Sequence, residues 1–225
     1  MWIDVLKRKA REHQRRRRMR EYDFALRFRL PENAPNPEEH LGALLDTGCD
    51  DATVGIGRRG RISLEFTRAG GTARAAMNSA LRDIRKAIPG AELLEASPDY
   101  VGVTEIAEIL AVTRQGARKI IENAASFPAP VHDGTSTLYR LAPVLYWCLR
   151  EGRRPVDVTQ LEIAKEAMRH NFKREEHELA AIEHSFGQPR RNEHLVEDPD
   201  HKALRTRSRQ PSQTDDQHPG RAAGA

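Results

Sequence analysis

The stretch that most constrains this chain is VTEIAEILAVTRQGARKIIEN, Val103 to Asn123. Ile106, Ala107 and Leu110 fall on one face at the 3.6-residue period of a helix. Ala117, Ile120 and Ile121 repeat the pattern after a break at Ala111-Val112. Thr104 predicts the N-cap of a first helix over Glu105 to Leu110, and Thr113 the cap of a second. The two apolar stripes face each other across a tight turn, with small Ala107 where the helices cross and Val112 plugging the corner. Thr113, Arg114, Gln115, Arg118 and Lys119 are left pointing outward. This is the helix-turn-helix pattern, in which such side chains hydrogen-bond base edges and phosphates in the major groove of double-stranded DNA. A plain helical hairpin with solvated charges competes with it. The apolar and outward polar positions together fit one template over about twenty residues, which favours the DNA reader.

Phe127 to His132 reads as a short extended segment, Asp133-Gly134 as a hairpin turn and Thr137 to Arg140 as a returning strand. A helix over Leu141 to Leu149 follows, carrying Val144, Leu145, Trp147 and Cys148. The helix pair, a wing opening with Phe127-Pro128-Ala129-Pro130 and a strand leading into Val144-x-x-Trp147 resemble the winged helix-turn-helix domains of the MerR and excisionase (AlpA-like) type. The resemblance covers residues 101–152, about a quarter of the chain. It implies DNA binding, with the second helix in the major groove, Thr113 offering that helix's N-terminus to a phosphate, and Arg140 touching the backbone beside the wing. Ala111 stands where many such turns carry glycine.

Upstream, Tyr22, Phe24, Leu26, Phe28 and Leu30 alternate with Asp23, Ala25, Arg27 and Arg29, a half-buried strand. Asn36-Pro37-Glu38-Glu39 starts a helix that presents Leu41, Leu44 and Leu45 and stops at Gly48. Ala52, Val54 and Ile56 make a second strand, Gly57 to Gly60 a turn, and Ile62, Leu64 and Phe66 a third strand. Thr72 caps a helix with Ala73, Ala76, Met77, Ala80, Leu81, Ile84 and Ile88 on one side, and Ala91 to Ala96 is a fourth strand. The order β-α-β-β-α-β predicts a ferredoxin-like domain over residues 21–98, a fold that hosts many functions and names none.

Two motifs there point elsewhere and are set aside. Leu44 to Asp51 resembles the catalytic loop of retroviral-type aspartic proteases, which needs its aspartate on a loop leaving a strand; the residues before Asp46 carry helix signals instead. Gly55-x-Gly57-x-x-Gly60 matches a dinucleotide fingerprint, but a strand follows where the phosphate-binding helix belongs. No nucleophile–base pair or metal-ligand spacing survives, so neither an enzyme nor a cofactor is expected. His170, His177 and His184 recur every seven residues, not at the i, i+4 spacing a metal wants.

Charge is distributed unevenly. Residues 1–20 hold nine Lys/Arg against Asp4 and Glu12, +7, whereas the whole chain is +4. The basicity therefore sits in the leader, a phosphate-binding arm built on Arg15 to Arg18. Met19, just before the first strand, offers an alternative start that would make residues 1–18 an over-extended reading; composition leaves both open. Two lone cysteines, Cys49 and Cys148, suit a reduced compartment without a disulfide framework. No apolar run approaches a membrane span, so a cytoplasmic protein without a membrane partner is expected.

Residues 153–187 form the last ordered segment, with a helix from about Gln160 to His184. Its stripe of Leu161, Ala164, Met168, Phe172, Leu179, Ile182 and Phe186 serves either a homodimer, since DNA readers commonly need two half-sites, or packing on the chain's own winged domain. Glu175 and Glu176 interrupt the stripe, so heptads are not sustained. Residues 188–225, rich in Pro, Gln, Arg, Asp, Gly and Ser, read as a disordered tail. The expected protein is α+β: a ferredoxin-like domain, a winged helix-turn-helix over residues 99–152 and a long C-terminal helix. It is read as a sequence-specific transcriptional regulator of double-stranded DNA. The competing functions are an antitoxin or adaptor whose α/β domain grips a protein partner, and a sensor whose α/β domain binds a small effector.

Overall fold

The strand read from alternation is β1 (Arg20–Arg29), which buries Tyr22, Phe24, Leu26 and Phe28 and exposes Glu21, Asp23, Arg27 and Arg29. The structure, a computed structural model, describes residues 19–153 and 155–187. The expected basic leader through Arg18 and the expected tail from residue 188 lie outside the described residues. β1 is an inner strand. It pairs antiparallel with β3 (Arg61–Gly70) and with β4 (Glu92–Ser97), while β2 (Ala52–Gly55) pairs antiparallel with β3. The sheet order is therefore β2-β3-β1-β4. With six α-helices among the described residues, the chain is a mixed α+β protein.

Helices cover the apolar face of this sheet. The helix predicted from Asn36 opens as a 3-10 turn (Pro37–His40) and becomes α1 (Leu41–Asp46), which buries Leu44 but leaves Leu45 exposed. The Thr47 hydroxyl donates to the Ala43 and Leu44 carbonyls at 2.9 and 3.1 Å, and Gly48 turns the chain at φ 97°. Asp46 thus ends a helix. The glycine-rich segment 55–60 is a hairpin joining β2 and β3, with Gly60 at φ 78°. Thr72 caps α2 (Ala73–Ala87) by accepting the Ala75 N–H at 3.1 Å, and Ala76, Met77, Ala80 and Ile84 pack into the core. Gly70 is required by closeness: a Cβ there would lie 3.0 Å from Ala76 Cβ and from the Thr72 carbonyl. Phe24 and Phe66 stack at 5.1 Å beneath these helices.

A second core begins at β5 (Tyr100–Val101) and continues through α3 (Val103–Leu110), α4 (Arg114–Asn123), β6 (Tyr139–Arg140) and α5 (Leu141–Arg150). It gathers Val101, Ile106, Leu110, Ala117, Tyr139, Val144, Leu145 and Trp147. The last helix, α6 (Val158–Gly187), belongs to both cores. Ile163 and Ala167 lie in the sheet core, whereas Ala164 lies in the second core with Leu161 and Met168 packed against it. The first half of the expected association helix is therefore consumed inside its own chain. Phe172 and Leu179 remain 47% and 57% exposed.

α6 also covers the outer edge of β4. The Asn171 side chain accepts the Ala96 N–H at 2.8 Å and donates to the Ala96 carbonyl at 2.9 Å, pairing with the strand as a neighbouring backbone would. Its amide also donates to Asp99 at 2.7 Å. Asn171→Leu should strip partners from two buried backbone groups at about 1–3 kcal/mol each. The urea-unfolding midpoint should fall by the equivalent of about 2–4 kcal/mol. A midpoint unchanged within error would show that this pairing contributes nothing.

Candidate nucleic-acid interface

α3 starts two residues earlier than its sequence predicts. Gly102 is the N-cap, and the Glu105 carboxylate reaches back to accept the Gly102 N–H at 3.0 Å; Thr104 lies inside the first turn. A carboxylate at the third helical position satisfies an orphan donor and suits the positive end of the helix, which overrides the threonine signal. α3 ends at Ala111, which adopts the left-handed conformation at φ 48°. That is the position where glycine is unstrained, and alanine carries roughly 1 kcal/mol there. The Val112 N–H then closes the turn on the Ala107 carbonyl at 2.9 Å. Val112 does not plug the corner. It is 38% exposed and lies over Gly116.

Thr113 caps α4 as read, accepting the Gly116 N–H at 3.1 Å. Ala117 is completely buried, and Ile120 and Ile121 are half-buried against α3. Thr113, Arg114, Gln115, Arg118 and Lys119 are all exposed. Beyond Thr113's cap, none of these side chains hydrogen-bonds or ion-pairs within the described residues. Arg114 and Arg118, one turn apart, form a wall of a groove of about 750 Å³. Its far side is made by residues 135–139 and Asp133. Glu105 and Glu122 also border it, so with Asp133 three carboxylates face the two arginines and the groove's lining carries a formal charge of −1.

The segment expected as a wing is barely a hairpin. Val131 N–H donates to the Leu138 carbonyl at 2.8 Å and Leu138 N–H to the His132 carbonyl at 2.9 Å, a single bridge. The returning strand then leaves it: Tyr139 and Arg140 pair with Val101 and Tyr100 of β5. This disposes of Arg140 as a phosphate contact. Its side chain is only 8% exposed, paired with the fully buried Asp99 carboxylate and reaching both Glu175 oxygens at 3.3 Å. Its guanidinium sits 4.3 Å from the Tyr100 ring centroid and 4.5 Å from that of Phe172. Burial pushes the Asp99 carboxyl above the usual carboxylate range, against the pull of Asn171 and Arg140. Burial and a 2.8 Å hydrogen bond to Glu175 push the Tyr100 phenol up to about 12. Five of the six expected contact residues thus share one free surface, and the sixth is structural. Nothing local to Asp99 or Glu175 marks them as Arg140's partners, since they lie 41 and 35 residues away in sequence.

Among the described residues no group of three or more His, Cys, Asp or Glu is placed to hold a metal ion, and no helix is long and apolar enough to cross a membrane. No family model, curated protein or solved structure matches the chain.

Arg140→Ala should destabilise the fold by about 3–5 kcal/mol in urea unfolding, because it strands the Asp99 carboxylate in the interior without its countercharge. Unchanged stability, together with a flatter salt dependence of DNA binding, would instead mean that this guanidinium is free to meet phosphates.

Proposed function

We propose that this protein is a sequence-specific, double-stranded-DNA-binding transcriptional regulator of the winged helix-turn-helix type, with α4 as the helix that enters the major groove. One observation carries the reading: Arg114, Gln115, Arg118 and Lys119 project from one helix into solvent without partners among the described residues, while Ala117 on the same helix is fully buried against α3. Polar side chains that satisfy nothing in their own chain, on a helix with a rigid apolar back, suit recognition of base edges and phosphates. The bridge at His132 and Leu138 is the place for a short wing beside that groove. The succession of elements and the order β2-β3-β1-β4 support a ferredoxin-like reading of residues 21–98. The protein acts by binding, not by catalysis.

Residues 99–154 hold seven Lys/Arg against six Asp/Glu, so a single copy has little electrostatic hold on DNA. A homodimer would place two α4 helices on adjacent half-sites, and Leu179, exposed on α6, is available to such a pairing.

Gln115 and Arg118 lie three residues apart and share a face of α4. Glutamine pairs bidentately with adenine and arginine with guanine, each worth roughly 1–3 kcal/mol against the wrong base. Gln115→Ala and Arg118→Ala should each weaken binding to a selected site about tenfold or more and to a scrambled duplex far less, with circular dichroism unchanged. Equal losses on both duplexes would demote these residues to backbone contacts. No loss on either, in a folded variant, would mean that α4 does not enter the groove.

A further inference from the structure

The hairpin between β2 and β3 is a second concentration of unpaired cations, at the far end of the sheet from the helix pair. Arg58, Arg59 and Arg61 are all exposed, and none has an ion-pair or hydrogen-bond partner for its side chain among the described residues. The other four arginines of the sheet each meet a carboxylate: Arg20 with Glu162, Arg27 with Glu95, Arg29 with Glu92, and Arg68 with Asp51 and Asp83. The register also sets Arg61 directly opposite Arg29. Like charges so placed are destabilising. Glu92, 3.1 Å from Arg29, relieves one of the two, and among the described residues no carboxylate reaches the other. Glu39 borders the same crevice as Arg58 and Arg59 but reaches ion-pair distance of neither.

The tip is held, not loose. Gly60 N–H donates to the Pro35 carbonyl at 2.7 Å, the Gly60 carbonyl accepts from Leu30 N–H at 2.9 Å, and Arg61 N–H donates to the Arg58 carbonyl at 3.0 Å. Three guanidiniums are thus presented on a braced turn, with their mutual repulsion left standing. A repeated anion would remove it.

We infer that this hairpin is a second DNA contact, an arginine clamp on the phosphate backbone of the duplex that α4 reads. The inference rests on the DNA-binding reading above. Its reach follows from the register. Arg20 pairs with Gly70 at the end of β1 that contacts Glu162 of α6, and Arg29 pairs with Arg61 at the other. At about 3.3 Å per residue, β1 separates the two ends by about 30 Å, close to one turn of B-DNA. The proposed clamp would hold flanking duplex rather than the bases that α4 reads. It supplies affinity without sequence preference, which the thinly charged helix pair lacks.

The test compares the full chain with the Arg58→Ala/Arg59→Ala/Arg61→Ala variant on two duplexes. One just covers the selected site, and the other extends it by about two helical turns on each side. Wild type should gain roughly tenfold or more on the longer duplex. The variant should lose that gain and show a log-affinity against log-salt slope shallower by about 0.9 per missing phosphate contact. Its preference for the selected over the scrambled sequence should be intact. A charge-reversed variant with glutamate at the three positions should weaken binding further, with circular dichroism confirming the fold of both. If both variants keep the wild-type slope and length dependence while Arg118→Ala still loses sequence preference, the clamp is wrong and the DNA reading stands. If wild type binds neither duplex, both fall.

Discussion

The pair formed by Arg140 and Asp99 sits where the link after the sheet, the strand returning from the groove and the last helix meet. Asp99 lies in the link between the sheet and the helix pair, Arg140 in the strand returning from the groove, and Glu175 and Asn171 on the last helix. Taking both charges out of water costs several kcal/mol per ion, and the partners offset it incompletely, since Asp99 Oδ1 and Arg140 Nε are buried without a hydrogen-bond partner among the described residues. Arg140 finds two carboxylates and two aromatic faces, and Asp99 an arginine and an amide. Such a site holds one geometry well and neighbouring geometries badly.

Helix α6 spreads that constraint over a larger area. Consecutive residues Ile163 and Ala164 enter different cores, and Asn171 closes the edge of β4 with its own amide. Sheet and helix pair therefore share apolar burial as well as an ion pair, and residues through Ala180 form one compact unit. Loss of the helix would open both cores at once. Along α6 exposed apolar side chains stand at Phe172, Leu179 and Ile182.

The DNA-binding reading depends on where cations are left over. Of the arginines in the sheet, Arg20, Arg27, Arg29 and Arg68 meet neighbouring carboxylates, whereas Arg61 at the start of β3, like Arg58 and Arg59 on the hairpin before it, meets none among the described residues. On the helix pair the unpaired cations stand on α4, bordered by Glu105 and Glu122. Neither cluster is strongly positive alone. α4 is a capped helix and the hairpin tip is braced by backbone hydrogen bonds at Gly60 and Arg61. In the proposed reading, specificity would belong to α4, and affinity would be distributed over the rest of the surface and over a second copy.

The sequence by itself determined what is periodic and local. Alternation placed β1 and β3, the apolar spacing placed α2, α3 and α4, and Thr72 and Thr113 capped the helices they announce. The outward set on α4 followed from that spacing, because a helix with one buried face has only one other. Tertiary structure decided everything that rests on distant partners. Arg140 reads locally as one more surface cation of a wing, and only the arrival of Asp99, Glu175 and the two rings makes it the buried centre of the fold. The same holds for α6, whose stripe is indifferent to whether it meets a second copy or its own chain. Thr104 lost its cap to Glu105 and Gly102, a choice between two adequate local signals. Periodicity is encoded residue by residue, whereas the burial of a charge depends on which remote carboxylate reaches it.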